Sequence, residues 1–383
     1  MNSSQYPIYL SCLPGLEPAL LEECRALNIQ ANPAKKNEKA NEEEKGGLEF
    51  SGTLDQIYAC NLQLRTASRV IVRLGEFYAA AFSELRKKAS RLAWETFLRP
   101  GQPVEIKVTC HKSRLYHSDA VAERVRGAIA DHLHLEPRPT PKDQPAQLIL
   151  VRLVNDLCTI SIDSSGELLH RRGYRQAVAK APLRETLAAG LLSLSGWSPS
   201  LPLVDPFCGS GTLPIEAALI SRHIAPGINR KFAFMQWPTY QPDEYARLFN
   251  QAREAISPAQ ALIYASDRDS GAIEMAKANA ARTGVVSDIQ FARHAISDLP
   301  ALTPQGYVIT NPPYGVRIHS NKDLRDLYAS FGALLQRSYS GWKLGILCSE
   351  PPLIHALGLG TPQKEILLNN GGIPVKFSLF SLD

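Results

Sequence analysis

One stretch of the sequence constrains the fold more than any other: residues 205–212, Asp-Pro-Phe-Cys-Gly-Ser-Gly-Thr. It follows the apolar run 201–204 and leads into Leu-Pro-Ile-Glu-Ala-Ala at 213–218. This order predicts a buried strand, a sharp glycine-rich turn and the first turn of a helix, where Pro214 is well tolerated. Such turns hold nucleotide-like ligands at the carboxyl ends of parallel strands. The glycine pattern alone is weak evidence, because Pro214 occupies the place of the third glycine of a dinucleotide fingerprint.

A second stretch, Asn-Pro-Pro-Tyr-Gly at 311–315, directly follows the apolar run 306–310. Two successive prolines cannot continue a strand ladder, and each restricts the residue before it. The pattern predicts a stiff turn that fixes the amide of Asn311 and the ring of Tyr314 at the carboxyl end of a strand. Alone it could be a plain turn, but paired with the first stretch in this order it is highly specific.

Together the two stretches resemble the class I S-adenosylmethionine-dependent methyltransferases that act on exocyclic or amide nitrogens. Two further stretches narrow the resemblance to one family. They are residues 168–175, Leu-Leu-His-Arg-Arg-Gly-Tyr-Arg, and residues 181–189, Ala-Pro-Leu-Arg-Glu-Thr-Leu-Ala-Ala. They look like the lead-in of the large-subunit (23S) rRNA guanine-N2 methyltransferase family, whose amino-terminal half carries a THUMP RNA-binding domain. The resemblance covers nearly the whole chain, and the four motifs occur in the family order.

This resemblance implies the fold class and the domain organisation. The fold would be an α/β class I methyltransferase (Rossmann-like, with a seven-stranded, mostly parallel sheet) preceded by an α+β domain that contains the THUMP domain. Short strands and helices between 47 and 163 also predict a small α+β domain with an antiparallel sheet. We therefore expect an RNA-binding region at 1–165 (THUMP at about 47–163), a basic linker at 166–181 and the methyltransferase domain at 182–383.

The expected cofactor is S-adenosylmethionine, and no metal is implied. Residues 262–266 read as the second parallel strand, after which the carboxylate of Asp267 can accept both ribose hydroxyls. Asp269 is better explained as the N-cap of the next helix. The cofactor-binding residues implied by the resemblance are Asp205, Phe207, Gly209, Ser210, Gly211, Thr212, Asp267, His294, Ala295, Asn311 and Thr186.

The adenine contact departs from the family pattern. The family often has an acid just after the third strand, facing the adenine amino group. In this sequence that strand is 289–292, and His294 and Ala295 occupy the place of the acid. Asp298 is an alternative partner for the adenine.

The resemblance implies that Asn311, Pro312, Pro313 and Tyr314 form the catalytic group. The exocyclic amine of guanine is a poor nucleophile, because its lone pair is delocalised into the ring. Hydrogen bonds from the amine to the Asn311 side-chain oxygen and the Pro312 carbonyl would aim the lone pair at the sulfonium methyl group. Tyr314 would stack on a base taken out of its helix. Catalysis would then consist mainly of orienting an in-line displacement.

Two basic segments are candidates for RNA contact. Lys112, Arg114 and Tyr116 precede a predicted helix that begins near Ser118, where cations and a helix N-terminus both favour phosphate. The comparable segment of THUMP domains precedes the same helix; the alternative is a loop that is basic by chance. In the linker, RNA backbone contact or a role at the mouth of the active site is preferred over mere solubility. The linker candidates are Arg171, Arg172 and Arg175.

Two other segments have less specific patterns. Residues 31–46 mix charges of both signs and predict a solvated loop. Residues 223–260 contain several aromatic side chains and prolines between the glycine turn and the next strand. This pattern is equally consistent with an ordered loop that covers the site and with aromatic side chains that pack in a core.

Composition narrows the class of protein. The formal net charge of +5 is too small to indicate a nucleic-acid-binding protein by itself. The seven cysteines lack metal-ligand or disulfide-framework spacing, which favours reduced thiols. With no long apolar run and no signal-peptide pattern, we expect a cytoplasmic protein. Some family members carry a second methyltransferase domain; this chain ends at Asp383 without one, so one activity is expected.

The target remains open at this stage. The favoured reading is methylation of guanine N2, with 23S rRNA or a large-subunit assembly intermediate as partner. The Asn-Pro-Pro-Tyr motif is shared by enzymes that methylate adenine N6 in nucleic acid or a glutamine amide in protein, although a THUMP-like front half favours RNA. A third hypothesis is a catalytically silent RNA-binding assembly factor.

Overall fold

The computed structural model describes residues 4–34, 46–138, 146–175, 183–299, 304–314 and 321–382. The chain divides into two compact units that exchange segments. The first unit comprises Met1–Cys12, Leu21–Leu169 and Arg230–Asn250, and the second comprises Leu13–Leu20, His170–Asn229 and Gln251–Asp383.

A mixed sheet of seven strands forms the first unit. Its strands are β1 (Tyr6–Cys12), β2 (Asn32–Pro33), β3 (Gly47–Gly52), β4 (Ala67–Tyr78), β5 (Val104–His111), β6 (Gln147–Val154) and β7 (Leu157–Asp163). The helices of this part of the chain are α1 (Glu17–Ala26), α2 (Leu54–Gln63), α3 (Phe82–Ala89) and α4 (Ser118–Leu133). The strand order is β2-β3-β1-β4-β7-β6-β5.

The predicted antiparallel sheet is wrong for one pair of strands, because β5 pairs parallel with β6. The helix α4 lies between them in sequence and provides the crossover that a parallel pair requires. The predicted hairpin of β6 and β7 is present. Asn155 and Asp156 form its turn with φ of 49° and 63°, the left-handed conformations that a two-residue hairpin turn needs.

The aromatic residues of the 223–260 segment pack in the core of the first unit, to which residues 230–250 belong. Phe234 is fully buried, and its ring lies 4.5 Å from the ring of Tyr58. The buried indole of Trp237 donates a hydrogen bond to the Gln147 side chain at 2.9 Å. Of the two alternatives for this segment, core packing is therefore the one that the structure supports.

The second unit has the expected seven-stranded, mostly parallel sheet. Its strands are β8 (Leu203–Asp205), β9 (Ile263–Asp267), β10 (Ile289–Arg293), β11 (Tyr307–Thr310), β12 (Trp342–Cys348), β13 (Lys364–Asn370) and β14 (Ile373–Leu382). The order is β10-β9-β8-β11-β12-β14-β13, in which the first five strands are parallel and β14 and β13 are antiparallel. Because β8 and β11 are neighbours, the two sequence motifs leave the sheet at the same edge.

Helices alternate with these strands. They are α5 (Glu185–Leu194), α6 (Thr212–Ser221), α7 (Pro242–Glu254), α8 (Ser270–Arg282), α9 (Asn321–Ser338) and α10 (Pro351–Ala356). Short 3-10 turns lie at Trp94–Thr96, Ala233–Gln236, Val286–Asp288 and Ile296–Asp298. Asp269 caps α8, as predicted, and its side chain accepts from the Gly271 N–H at 2.8 Å. Within the described ranges, no helix is long and apolar enough to cross a membrane.

Candidate active site

The glycine turn between β8 and α6 depends on glycine for two reasons. Gly211 has φ of +83°, a conformation that side chains with a Cβ rarely adopt. A Cβ at Gly211 would also lie only 2.9 Å from the Cβ of Ala276 in α8. The turn therefore brings the start of α6 against α8 at a separation that only glycine permits.

Asp205 lies behind this turn. Its carboxyl group is 2% exposed and accepts hydrogen bonds from the Thr310 hydroxyl at 2.7 Å and the Phe207 N–H at 3.2 Å. Burial raises the pKa of Asp205 to about 7, since few groups replace the water that would solvate the charge. In this structure Asp205 supports the turn and does not line the cavity described below.

Asp267 lies at the carboxyl end of β9, where its two oxygens contact two turns. One oxygen accepts from the Gly209 N–H at 3.0 Å, and the other accepts from the Asp269 N–H, also at 3.0 Å. A carboxylate oxygen can accept more than one hydrogen bond, so both retain capacity for ligand hydroxyls. The residue both anchors the glycine turn and faces the cavity.

A cavity of about 390 Å³ opens at this edge of the sheet. That volume lies within the range of small-molecule sites, and the walls are mostly apolar with a few polar groups. Four of the lining residues were not predicted: Pro206, Arg268 and Ile296, which are neighbours of predicted residues, and Leu327, which nothing in the sequence singles out. The lining residues are Pro206, Phe207, Asp267, Arg268, His294, Ala295, Ile296, Asn311, Pro313 and Leu327.

Asn311 contributes a buried acceptor to this cavity. Its side-chain oxygen is buried and accepts no hydrogen bond from any described residue. An unsatisfied buried acceptor costs free energy, and in native proteins it often marks a place where a ligand supplies the missing donor. Asn311 therefore lines the cavity with a side chain whose oxygen retains its capacity to accept a hydrogen bond.

Two hydrogen bonds hold the residues that follow Asn311. The Tyr328 hydroxyl in α9 donates to the Pro313 carbonyl at 3.3 Å, and the Asn370 amide in β13 donates to the Tyr314 hydroxyl at 2.9 Å. The Tyr314 ring is only 3% exposed and does not line the cavity. The predicted stacking of a base on Tyr314 would require a ring face that is buried in this structure.

Several predicted cofactor residues do not line the cavity. Thr186 is buried within α5, so it has no surface to offer a ligand there. The Thr212 hydroxyl accepts a hydrogen bond from Arg175 at 2.7 Å. His294 and Ala295 do line the cavity, whereas the Asp298 side chain lies outside the described part of the chain. The remaining predicted residues that are absent from the lining are Gly209, Ser210, Gly211 and the catalytic candidate Pro312.

Two of the predicted RNA-binding arginines lie inside the second unit. Arg172 is 6% exposed, and its guanidinium lies 3.7 Å from the buried carboxylate of Glu216. Arg175 donates to the Leu183 carbonyl and to the Thr212 hydroxyl, both at 2.7 Å. Buried charges are stable only when paired, and these pairs keep both side chains away from an RNA backbone. We therefore remove Arg172 and Arg175 from the predicted RNA-binding set; Arg171 is exposed and stays in it.

The other basic segment lies on the surface of the first unit. Lys112 is exposed with φ of +45°, and the Tyr116 ring is 68% exposed. Arg114 has a largely exposed side chain whose guanidinium lies 3.7 Å from Asp156. The loop therefore presents two cations and an aromatic ring to solvent.

Comparisons with known proteins agree with this architecture. Residues 7–71 match the RlmL ferredoxin-like domain, 79–163 match the THUMP domain, and 172–376 match the RMKL-like methyltransferase domain. The solved structure of SMU.472, a provisionally assigned methyltransferase in complex with S-adenosylhomocysteine, has a TM-score of 0.89 at 30% identity and covers 100% of this chain and 99% of its own.

Two curated relatives extend over almost all of the chain. Synechocystis sp. slr0064, provisionally named as an RNA methyltransferase, is 33% identical over 99% of this chain and 98% of its own length. The ribosomal RNA large subunit methyltransferase K/L of Vibrio parahaemolyticus is 33% identical over 96% of this chain and 52% of its own. The chain thus spans about half the length of the K/L relative.

The matches, the sheet order and the position of the cavity lead to one assignment. The motif turns meet at the edge where class I methyltransferases hold their cofactor, and the acceptor groups of Asp267 suit the hydroxyls of a ribose. The chain belongs to the family of S-adenosylmethionine-dependent methyltransferases that combine an RlmL ferredoxin-like domain, a THUMP domain and an RMKL-like methyltransferase domain.

Proposed function

We propose that this protein transfers a methyl group from S-adenosylmethionine to the exocyclic N2 amine of a guanine in 23S rRNA. The observation that carries the proposal is that Asn311 lines the same cavity as Asp267 and Phe207 and that its side-chain oxygen has no partner among the described residues. An exocyclic amine has the donors that this oxygen lacks. The ribosomal RNA substrate named for the K/L relative supports the choice of target.

In this proposal, Asp267 accepts hydrogen bonds from the ribose of the cofactor. Phe207 and the residues His294, Ala295 and Ile296 surround its adenine, since they line the same cavity as Asp267. The bound cofactor supplies a methyl group on a positively charged sulfur, which is a good leaving group.

The residues of the protein orient the substrate amine. Asn311 and the Pro312 carbonyl accept the two hydrogens of the amine, so that its lone pair points along the displacement axis. The hydrogen bonds to the Pro313 carbonyl and the Tyr314 hydroxyl keep this turn in place. The methylated amine loses its proton readily, so the proposal requires no dedicated general base.

The first unit is proposed to bind RNA. The THUMP match at 79–163 contains the exposed loop with Lys112, Arg114 and Tyr116. THUMP-like modules are expected to contact shape and backbone more than base edges. We retain 1–165 as the RNA-binding region and add 230–250 to it, because those residues pack in the first unit.

Charge reversal in this loop tests RNA binding. The double variant Lys112→Glu and Arg114→Glu is expected to raise the RNA dissociation constant and to reduce the log–log salt slope by about 1–2, because up to two phosphate contacts disappear. RNA affinity is measured across a salt series with the full chain. The exposed pair Lys87→Glu and Arg91→Glu changes the net charge equally elsewhere on the first unit and serves as control. Equal effects of the two double variants would remove the loop from the RNA interface.

Product analysis tests the reaction itself. The full chain is incubated with labelled S-adenosylmethionine and with 23S rRNA that lacks guanine methylation, and the RNA is then digested to nucleosides. We expect label in N2-methylguanosine. Label in N6-methyladenosine would support the adenine alternative, and label in protein would support the amide alternative. Cofactor binding without any transfer would support a silent assembly factor.

A further inference from the structure

A side-chain hydrogen bond joins the cofactor wall to the catalytic turn. The parallel ladder of β8 and β11 pairs Leu203 with Tyr307 and Val204 with Val308. Beyond that point the strands lead to the two walls of the cavity. There the Thr310 hydroxyl donates a hydrogen bond to the Asp205 carboxylate at 2.7 Å.

This hydrogen bond connects residues on both walls of the cavity. Asp205 accepts with the same oxygen from the Phe207 N–H, and Phe207 lines the cofactor side of the cavity. Thr310 directly precedes Asn311, which lines the opposite side. One carboxylate oxygen thus connects the backbone of one wall to the residue next to the catalytic amide on the other.

Both partners are shielded from water. Thr310 is fully buried and Asp205 nearly so, which strengthens the bond between them and makes its loss costly. Burial raises the pKa of Asp205, and the hydrogen bond from Thr310 offsets part of that effect by stabilising the charged form.

We propose that Thr310 is a positioning residue, which acts through Asp205 to fix the distance between the methyl donor and the amine held by Asn311. This inference rests on the proposed function, since it requires methyl transfer in this cavity. The reacting atoms must approach within about 3–3.5 Å and in line, so a small change in the separation of the two walls would slow the transfer step more than it weakens binding.

The test compares variants of the full chain that differ at single atoms. Thr310→Val keeps the shape of the side chain but removes the hydroxyl, and Thr310→Ser restores it. Ile309→Val, one residue earlier in the same buried strand, controls for loosening of the core. Total methyl transfer to RNA is measured as kcat and KM, without regard to which nucleoside is modified, and cofactor affinity is measured by calorimetry.

We expect Thr310→Val to lower kcat by roughly tenfold to a hundredfold, with the RNA KM and the cofactor dissociation constant changed by no more than about twofold. Thr310→Ser should recover most of the rate. In an Asp205→Ala background, Thr310→Val should have little further effect, because its partner is gone. A loss equal to that of Ile309→Val, no rescue by serine, or additive effects of the two changes would overturn the proposal.

A second measurement does not depend on activity. Amide hydrogen exchange in peptides that contain 205–212 and 307–314 should become faster at both places in Thr310→Val, and not in Thr310→Ser. Unchanged exchange would show that the hydroxyl does not hold the walls together. If the wild type methylates adenine instead of guanine, the proposed function fails, while both measurements still decide the role of Thr310.

Discussion

Replacing Asn311 with alanine is expected to reduce methyl transfer by on the order of a hundredfold or more, while the affinity for S-adenosylmethionine stays nearly unchanged. The side-chain oxygen of Asn311 is buried and has no partner among the described residues. A hydrogen bond donated by the substrate amine therefore removes the cost of leaving this acceptor unsatisfied. Removing it leaves the amine free to rotate, and its lone pair is no longer held in line with the methyl group.

The measurement is single-turnover methyl transfer to RNA, together with cofactor titration by calorimetry. Asn369→Ala is a suitable control, because Asn369 accepts a hydrogen bond from the Gly372 N–H in the β13–β14 turn and does not line the cavity. It should retain normal turnover. Near-normal turnover of Asn311→Ala would mean that the amine is oriented by other groups.

The sequence was most informative where local backbone chemistry dictates the structure. Two prolines after Asn311 permit few backbone conformations, whereas the two glycines ahead of α6 permit a tight turn that other residues rarely adopt. Both predicted turns lie at the carboxyl ends of neighbouring strands. The Asp269 cap was predictable for the same reason, since its partner, Gly271, is two residues away. The strand order came from the family resemblance rather than from periodicity.

The arginines of the linker were misjudged because their environment depends on residues distant in sequence. Arg172 reads as a solvated cation, but it faces Glu216, which lies on the apolar helix α6. Tyr174 also donates to Glu216, at 3.1 Å. No local pattern predicts that a carboxylate 44 positions away is buried against this segment.

The assignment of residues 230–250 to the first unit was also not predictable from local sequence, because it depends on contacts with residues distant in sequence. Residues 230–250 follow the glycine turn in sequence and were predicted within the catalytic half. The ring of Tyr58 and the side chain of Gln147 instead bind them into the first unit. An isolated 182–383 fragment would expose Phe234 and Trp237, so binding and activity are best measured on the full chain.

A second large effect is expected from Asp267→Ala, which should weaken S-adenosylmethionine binding by about 1–3 kcal/mol. The carboxylate is proposed to accept the ribose hydroxyls, and hydrogen bonds to charged groups are the stronger ones. It also accepts from the Gly209 N–H, so its removal loosens the glycine turn that borders the cofactor. The first consequence removes a contact to the cofactor and the second leaves the turn to be ordered on binding, so the loss should appear as a higher dissociation constant in calorimetry.

Asp269→Ala is the matched control, since it removes the same group two residues further on. Asp269 caps α8 and does not line the cavity, so its loss should cost about 0.5–2 kcal/mol of stability. The backbone N–H of Asp269 that donates to Asp267 survives the substitution. We therefore expect a lower Tm with nearly unchanged cofactor affinity for Asp269→Ala, and weaker binding for Asp267→Ala. If both variants bind the cofactor equally weakly, the effect arises from the stability of α8, and Asp267 is not the ribose acceptor.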